Sequence, residues 1–420
     1  MSQFDLPSDF ILESLKIDGN DAKGLFHSIS VYENIFSPII TGSVTIGETD
    51  FASFIEKYKI EGNEKFEFQT KAEGSEYMFE GKLNGLRNKE NDQQLTYYTF
   101  DFVSKEMEKN EQTFITKPWK KKQPKEIIEE MIKEMDGKQE KIQGSGKPMT
   151  FLSSRKRPWE VIKFVLKHGV PQDVTATEGD KEKRDEETKG VGGFFCWQTA
   201  DGFRFETIEK TMKGQAGTNA GDFKYQTNND GKSNSELMKS IVHYDFKMMG
   251  DIQAKLRSGG FRNILVVMDL DRLHYKEYTY DNEKMMTDKQ KEVSTKPSRF
   301  ICINKNNERW ENKPDKAKNS EYDQSTYYLA SNIGGENTFD DSQGTITFYP
   351  QLKMRAGDTV KCMIYKTQSS GGSNTYDKKH SGQYVVQEVA HHFLALHNKA
   401  YTKASVLRTT KQQDDASSTS

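Results

Sequence analysis

Residues 95–104 have the sequence LTYYTFDFVS, in which large apolar and small or polar side chains alternate. Tyr98, Phe100 and Phe102 fall on one face of an extended chain, and Thr99 and Asp101 fall on the other. A period of two residues is typical of a β-strand with one buried face. This stretch therefore predicts that the surrounding region is built from half-buried strands.

Similar short runs lie on the N-terminal side of this strand. They are LFHSISVYENI (25–35), ITGSVTIG (40–47), EKFEFQT (64–70) and EYMFEGKLNGL (76–86). One short helix is predicted in TDFASFIEKY (49–58), where apolar residues recur at helical spacing. Residues 1–112 are therefore expected to form a small antiparallel β-barrel with one inserted helix.

Strand patterns return in the C-terminal third of the chain. They include GTITFYP (344–350), DTVKCMIYK (358–366), QYVVQEVAHHF (383–393) and AYTKASVLR (400–408). We expect a second, similar β-barrel over 296–410. The polar sequence KQQDDASSTS (411–420) predicts a disordered tail.

The middle region, residues 113–295, mixes helical and strand periods. Apolar residues at helical spacing predict helices near 124–136, 157–168 and 248–258. A hairpin is predicted over 193–208, and the polar run 178–190 predicts a mobile insertion. The expected fold class is therefore α+β and β-dominated, with two similar antiparallel barrels flanking a mixed middle region.

Composition excludes several classes of function. The chain carries 61 Lys and Arg against 63 Asp and Glu, a net charge of −2, so no overall field attracts nucleic acid or an anionic membrane. Cys196, Cys302 and Cys362 form no C-x-x-C pair, which favours a reduced protein over a disulfide scaffold. No segment approaches the roughly 18–20 apolar residues of a membrane span, so no membrane binding by the chain itself is expected.

The stretch KKHSGQYVVQEVAHHF (378–393) raises the question of a nucleophile or a metal site. In a strand, His391 and His392 would point to opposite faces and could not share one metal ion. Ser381 lacks the strand-turn-helix surroundings of a nucleophile elbow. The pattern therefore favours a structural strand, and we predict no catalytic, cofactor-binding or metal-binding residues.

The basic stretch KPWKKKQPK (117–125) leaves two interpretations open. Lysines beside Trp119 could contact nucleic acid. Acidic residues follow directly, however, so the sequence favours a solvated linker that docks on an acidic partner.

Taken in order, several motifs resemble the central baseplate hub proteins of contractile-tailed, T-even-like myoviruses. They are LFHSISVYENIFSPIITGSVTIGETDF, LTYYTFDFVSKEMEKN, QPKEIIEEMI, RPWEVIKFVLKHGV, GGFFCWQTADGFRFETIEKTM, MRAGDTVKCMIYK, SGQYVVQEVAHHF and YTKASVLRT. A more distant resemblance is to the N-terminal region of type VI secretion spike proteins (VgrG). The motifs span most of residues 10–410.

The resemblance implies a structural role without enzymatic activity. It implies a homotrimer that adapts a six-fold tail tube to a three-fold spike in the virion tail baseplate, assembled in the host cytoplasm. The implied partners are the spike protein, the tail tube protein, the tape-measure protein and the baseplate wedge proteins, with DNA only transiently in the channel. The turn residues matched to the family are Asp201, Gly202, Gly357, Asp358, Ser381 and Gly382.

Two alternative functions also fit the sequence. One is a hub of a type VI secretion or tailocin-like injection machine, which would keep the same architecture. The other is a tail-associated protein that binds or degrades polysaccharide, which would require a cleft with paired carboxylates or aromatic platforms.

Overall fold

The structure is a computed structural model of the chain, and it describes residues 4–49, 54–92, 95–172, 193–225, 231–246, 252–270, 273–281, 288–304, 344–365, 376–377 and 380–408. The predicted insertion over 178–190 and the predicted tail over 411–420 lie outside these residues. Of the helices formed by the described residues, none is long and apolar enough to cross a membrane.

Strands dominate the described residues. In chain order they are β1 (Phe10–Ile17), β2 (Asn20–Asp21), β3 (Phe26–Asn34), β4 (Thr41–Thr49), β5 (Lys65–Ala72), β6 (Ser75–Asp92), β7 (Leu95–Ser104), β8 (Ile115–Lys122), β9 (Gln139–Ile142), β10 (Met149–Lys156), β11 (Phe194–Thr199), β12 (Gly202–Thr207), β13 (Asn219–Tyr225), β14 (Ile241–Phe246), β15 (Arg262–Asp269), β16 (His274–Asp281), β17 (Arg299–Asn304), β18 (Gly344–Phe348), β19 (Thr359–Ile364), β20 (Gly382–Leu394) and β21 (Lys399–Leu407). The helices are α1 (Phe54–Tyr58), α2 (Glu106–Gln112), α3 (Pro124–Glu134), α4 (Pro158–His168), α5 (Ile208–Met212), α6 (Asn234–Leu237), α7 (Ile252–Ser258) and α8 (Asp288–Val293). The prediction of a β-dominated fold is confirmed, and large antiparallel sheets contain most of the strands.

Thirteen strands form one sheet that joins the N-terminal and C-terminal regions. Its order is β14-β18-β21-β20-β3-β4-β7-β6-β5-β1-β2, with β19 pairing with β20 and β13 pairing with β19. The residues of β7 alternate between buried and partly exposed, as LTYYTFDFVS predicts. Sequence patterns indicated two separate strand regions, and the β3–β20 ladder joins them by hydrogen bonds.

The long hairpin β20–β21 contributes to two cores. Near its open end, Val386 and Val406 pack in the C-terminal core with Phe348 and Val360. Near its tip, Phe393 packs in the N-terminal core together with the side chains of β1, β5 and β7. One pair of strands therefore ties the two β regions together.

The middle region forms a third core between helices and small sheets. Helices α3 and α4 each begin with proline after a capping box, formed by Gln123 with Glu126 and by Arg157 with Glu160. They pack against β11, β12 and β9 and against the two-stranded sheet β8–β10. A separate three-stranded sheet, β16-β15-β17, follows α7.

The interpretation of residues 117–125 as a solvated linker is wrong for most of that stretch. Residues 117–122 belong to β8, which pairs with β10. Trp119 is buried in the middle core, and its Nε1 donates to Ser153 Oγ at 2.7 Å. The pattern was missed because the lysines that flank this one buried aromatic residue conceal the strand alternation.

Candidate functional site

A cluster of buried and half-buried charges lies where the three cores meet. We call it the junction cluster, and its members are Glu33, Glu140, Asp201, Arg204, Arg355 and Asp358. They come from β3, from β9, from the β11–β12 hairpin and from the loop between β18 and β19. The cluster therefore connects the N-terminal, middle and C-terminal parts of the chain.

All three nitrogen atoms of the Arg204 guanidinium group donate hydrogen bonds within the protein. Its Nε and Nη2 donate to the two carboxylate oxygens of Glu140 at 2.7 and 2.8 Å. Its Nη1 donates to Asp358 Oδ1 at 2.9 Å and to the carbonyl of Ala356 at 3.0 Å. Because bidentate charged bonds are the strongest class of side-chain hydrogen bond, Arg204 fixes the 356–358 loop against β9.

Arg355 makes a second set of contacts in the same loop. Its Nε donates to Asp201 Oδ2 at 2.8 Å, and its Nη1 donates to the carbonyl of Leu352 at 2.6 Å. Its backbone N–H donates to Asp358 Oδ2 at 3.0 Å, and its guanidinium lies 5.3 Å from the centre of the Tyr77 ring. The loop is therefore held to the hairpin and to β6 together.

Glu33 is fully buried on the inward face of β3. Its Oε1 accepts from the backbone N–H of Ala200 at 2.9 Å, and its Oε2 accepts from that of Ala356 at 3.3 Å. Burial raises the pKa of Glu33 from 4.5 to about 7, although Arg355 at 4.0 Å and the two N–H groups oppose the rise. This carboxyl group therefore titrates near neutral pH.

The two adjacent histidines lie on opposite faces of β20, as predicted. His391 is fully buried, with Nδ1 3.1 Å from Thr402 Oγ1, whereas His392 is partly exposed, with Nδ1 2.8 Å from Ser30 Oγ. Burial lowers the pKa of His391 from 6.5 to about 3, and the charge of Arg355 lowers it further. His391 is therefore a neutral side chain beside the junction cluster.

Four of the six predicted turn residues meet at this cluster. Gly202 and Gly357 have φ angles of 141° and 86°, in the region that favours glycine. Their neighbours Asp201 and Asp358 bind the two arginines through their carboxylates. The role that the resemblance assigns to these turns stays a prediction.

Ser381 and Gly382 lie at a second place, where β20 begins. Ser381 Oγ accepts from the N–H of Ile364 at 2.9 Å and donates to its carbonyl at 3.1 Å. Gly382 has φ 146°, and a Cβ there would come within 2.8 Å of the Arg408 guanidinium. The Ser381 hydroxyl is thus committed to a backbone link between β19 and β20.

The contacts within the junction cluster are bonds between chain segments. Among the described residues, no group of three or more His, Cys, Asp or Glu side chains could hold a metal ion. Burial raises the pKa of the Cys196 and Cys362 thiols, which disfavours the nucleophilic thiolate. The chemistry that the cluster supports is charge pairing between distant chain segments.

Sequence reasoning missed Glu33, Glu140, Arg204 and Arg355. One signal was available for Glu33, because it alternates with Val31 and Ile35 and therefore shares their inward face. Arg204 lies between Phe203 and Phe205 in a strand that is buried throughout. The strand therefore has no alternation of buried and exposed residues that would indicate which way the Arg204 side chain points. A charged residue on an apolar face implies a buried partner, but not which one.

The shifted pKa values of Glu33 and His391 predict opposite pH dependences of the free energy of unfolding. Glu33 has a raised pKa in the folded state, so its contribution to stability is complete below about pH 4.5 and is lost as the pH rises through about 7. His391 has a lowered pKa, so its contribution is present above about pH 6.5 and is lost as the pH falls through about 3. Between about pH 4.5 and 6.5 the two groups change the free energy of unfolding in opposite directions, each by roughly 1.4 kcal/mol per pH unit.

Variants at these positions separate the two slopes. Relative to the unmodified chain, Glu33→Gln is expected to lose about 1.4 kcal/mol of unfolding free energy per pH unit as the pH falls from 6.5 to 4.5. His391→Gln is expected to gain a similar amount over the same interval. Urea unfolding at three pH values measures both differences, and pH-independent differences for both variants would contradict the shifts.

Comparison with solved structures shows a shared fold with phage tail proteins. A tail protein from Neisseria meningitidis has a TM-score of 0.56 and 8% identity, covering 97% of this chain and 99% of that chain. The 43 kDa tail protein of prophage MuSo2 from Shewanella oneidensis has a TM-score of 0.56 and 10% identity, covering 95% and 98%. An Escherichia coli component of the type VI secretion system has a TM-score of 0.46 and 8% identity, covering 95% and 78%.

At these identities the likeness establishes the fold alone. No protein-family model matches the sequence, and a search of curated proteins gave no significant match. Because the two tail proteins are covered almost completely, the shared fold includes the N-terminal, middle and C-terminal regions together.

Proposed function

We propose that this chain is the central hub of a phage tail baseplate, a structural protein that assembles as a trimer. The observation that carries the proposal is the fold shared with two phage tail proteins over nearly the whole of both chains. The junction cluster fits this role, because its charges are used to join parts of the chain and are not left open for a substrate.

The course of the main sheet supports two tube-type β-barrels within each chain. From β13 the order runs through β19, β20, β21 and β18 to β14, and a single bridge between Lys224 and Ser240 leads from β14 back to β13. In the N-terminal half, a single bridge between Asp9 and Lys399 leads from the start of β1 to β21. The C-terminal strands thus curl back toward β13, and the N-terminal strands curl toward the tip of the β20–β21 hairpin. These courses support two similar barrels, one over residues 1–112 that the hairpin completes and one over 296–410 that β13 and β14 of the middle region complete.

Two barrels per chain would give a trimer six similar units in a ring. Such a ring matches a six-fold tail tube on one side and a three-fold spike on the other, and its lumen would form part of the DNA-ejection channel. In a closed ring whose subunits meet through unlike surfaces, each subunit contact buries surface area. The proposed partners are therefore the spike, tail tube, tape-measure and wedge proteins of a virion tail.

The mass of the protein in solution tests this proposal. Light scattering of the purified chain, alone and with a spike protein, is expected to give about three times 48.2 kDa for this component. Negative-stain images of the same fractions should show three-fold particles with a central opening. A strict monomer across a wide concentration range in both samples would contradict the hub role.

A further inference from the structure

The two-stranded sheet β8–β10 turns one face to the middle core and the other to solvent. Trp119 and Ser153 lie on the inward face. The outward face, which we call the ribbon face, consists of exposed residues from both strands, namely Thr116, Pro118, Lys120, Thr150, Leu152 and Ser154. Residues of other described elements leave this face open to solvent.

Both ends of the ribbon face carry exposed cations. Lys120 and Lys121 lie at one end, and Arg155 and Lys156 lie at the other. Within the part of the chain that the structure describes, none of the four has an acidic side chain within 4.0 Å, whereas Lys122 at the same end pairs with Glu126 at 3.7 Å. The four positive charges are therefore available to an external partner.

Two of these cations occupy backbone positions that glycine would tolerate better. Lys121 has φ 52° and Arg155 has φ 46°, and each lies where the β8–β10 register shifts. The N–H of Lys121 donates to Thr150 Oγ1 at 3.1 Å, and that of Arg155 donates to Thr116 Oγ1 at 3.1 Å. A left-handed conformation at a non-glycine residue costs roughly 1–2 kcal/mol, so both of these cations have a backbone conformation that their residue types disfavour.

The centre of the ribbon face is apolar. Leu152 lies opposite Pro118 in the ladder, and 66% of Leu152 is exposed. At the edge, Phe114 is 54% exposed, with the guanidinium groups of Arg155 and Arg157 at 5.9 and 6.0 Å from its ring centre. The face therefore combines an apolar centre with positive ends.

We propose that the ribbon face docks an acidic polypeptide segment of another protein. Carboxylates would pair with the cations at the two ends, and an apolar side chain between them would cover Pro118 and Leu152. A ribbon of eight residues per strand spans roughly 26 Å, which is the length of about eight extended residues. This inference does not depend on the proposed role in a tail.

A protein partner fits the face better than nucleic acid does. Trp119, the aromatic residue of the basic stretch, is buried and cannot stack on a base. The apolar pair Pro118 and Leu152 has no counterpart on a phosphate backbone, and the whole chain carries a net charge of −2. Charge complementarity with an apolar centre therefore points to an acidic polypeptide.

Fluorescence anisotropy of the full chain with a labelled synthetic peptide tests the proposal. The peptide has about twelve residues, with Leu-Val at its centre and Glu or Asp elsewhere. Binding at low salt is expected. The triple variant Lys120→Glu, Lys121→Glu and Lys156→Glu should weaken it at least about tenfold, because like charges then face each other.

A matched triple variant controls for net charge. Lys16→Glu, Lys224→Glu and Lys361→Glu change three exposed lysines on strands of the main sheet and alter the charge by the same amount. Binding of the peptide should stay within about twofold. An equal loss in both triple variants, or no binding of the peptide to the unmodified chain, would overturn the proposal.

Two further measurements separate the alternatives. Lys121→Gly keeps the bulge and removes one cation, so it should weaken peptide binding about twofold or more without lowering the thermal midpoint. A lowered midpoint would show that Lys121 serves the fold instead of a partner. A labelled DNA duplex is tested in the same way. If it binds as tightly as the peptide, and if the Lys120, Lys121 and Lys156 triple variant loses that binding, the face is a phosphate-binding surface and an acidic polypeptide partner is refuted.

Discussion

Replacing Arg204 with methionine is expected to lower the free energy of unfolding by about 3–5 kcal/mol. The change removes the cation that binds Glu140 in two bonds and Asp358 in a third, and it leaves the Ala356 carbonyl without this donor. Asp358 is 1% exposed, so water cannot replace the missing charge. Urea unfolding followed by tryptophan fluorescence measures the loss.

An exposed arginine with similar geometry provides the control. Arg87 Nε donates to Asp101 Oδ2 at 3.1 Å and its Nη2 lies 2.6 Å from Asp101 Oδ1, but its side chain is 61% exposed. Arg87→Met should therefore reduce stability by less than about 1 kcal/mol. Adding Glu140→Gln and Asp358→Asn to Arg204→Met should restore part of the lost stability, because the carboxylates that lack a cation are then replaced by neutral amides. Equal losses for Arg204→Met and Arg87→Met would contradict a buried ion cluster.

The second large effect is expected at Gly357. Alanine there would place a Cβ about 2.4 Å from Cζ2 of Trp197, and the residue would have to keep φ 86°. Trp197 is fully buried, and its Nε1 donates to the carbonyl of Ala356 at 2.9 Å, so the ring cannot withdraw without breaking this bond. Strain and overpacking each contribute roughly 1–3 kcal/mol, and we expect a combined loss of about 3 kcal/mol or more.

Gly74 isolates the backbone part of this effect. It has φ 68°, and a Cβ added there meets no atom within 4 Å. Gly74→Ala is therefore expected to cost about 1 kcal/mol from the left-handed conformation alone. Thermal or urea unfolding of both variants measures the two losses of stability, and their difference is the packing contribution. Identical losses would show that the Trp197 ring moves aside without a free-energy cost.

Local patterns in the sequence predict many elements of this fold. The alternation in residues 95–104 indicates the strand that spans them in the structure, and proline followed by Glu at the third position indicates where α3 and α4 begin. Such signals depend on neighbours within a few residues, so one sequence is enough to find them. The basic stretch containing Trp119 is an exception, because a single buried residue among lysines does not establish a period.

The candidate site could be predicted only in part. The pairs Asp201-Gly202 and Gly357-Asp358 were found as turns, since glycine beside aspartate marks a change of chain direction. Their association with Glu33, Arg204 and Arg355 depends on contacts between residues 150 to more than 300 positions apart, such as Ala356 with Glu33 at a separation of 323. No local period encodes such a contact, and the pairing of β3 with β20 was missed for the same reason.

The pairing of β3 with β20 has a consequence for biosynthesis. Asn34 and Glu388, which are bonded across this ladder, are 354 residues apart. At a translation rate of 5–20 residues per second, roughly 20–70 s separate their emergence from the ribosome. During this interval β3 has an open edge on the side that β20 later covers. A nascent chain therefore completes its N-terminal sheet only after β20 has been made, and a chain released before that point lacks the strand that closes this edge.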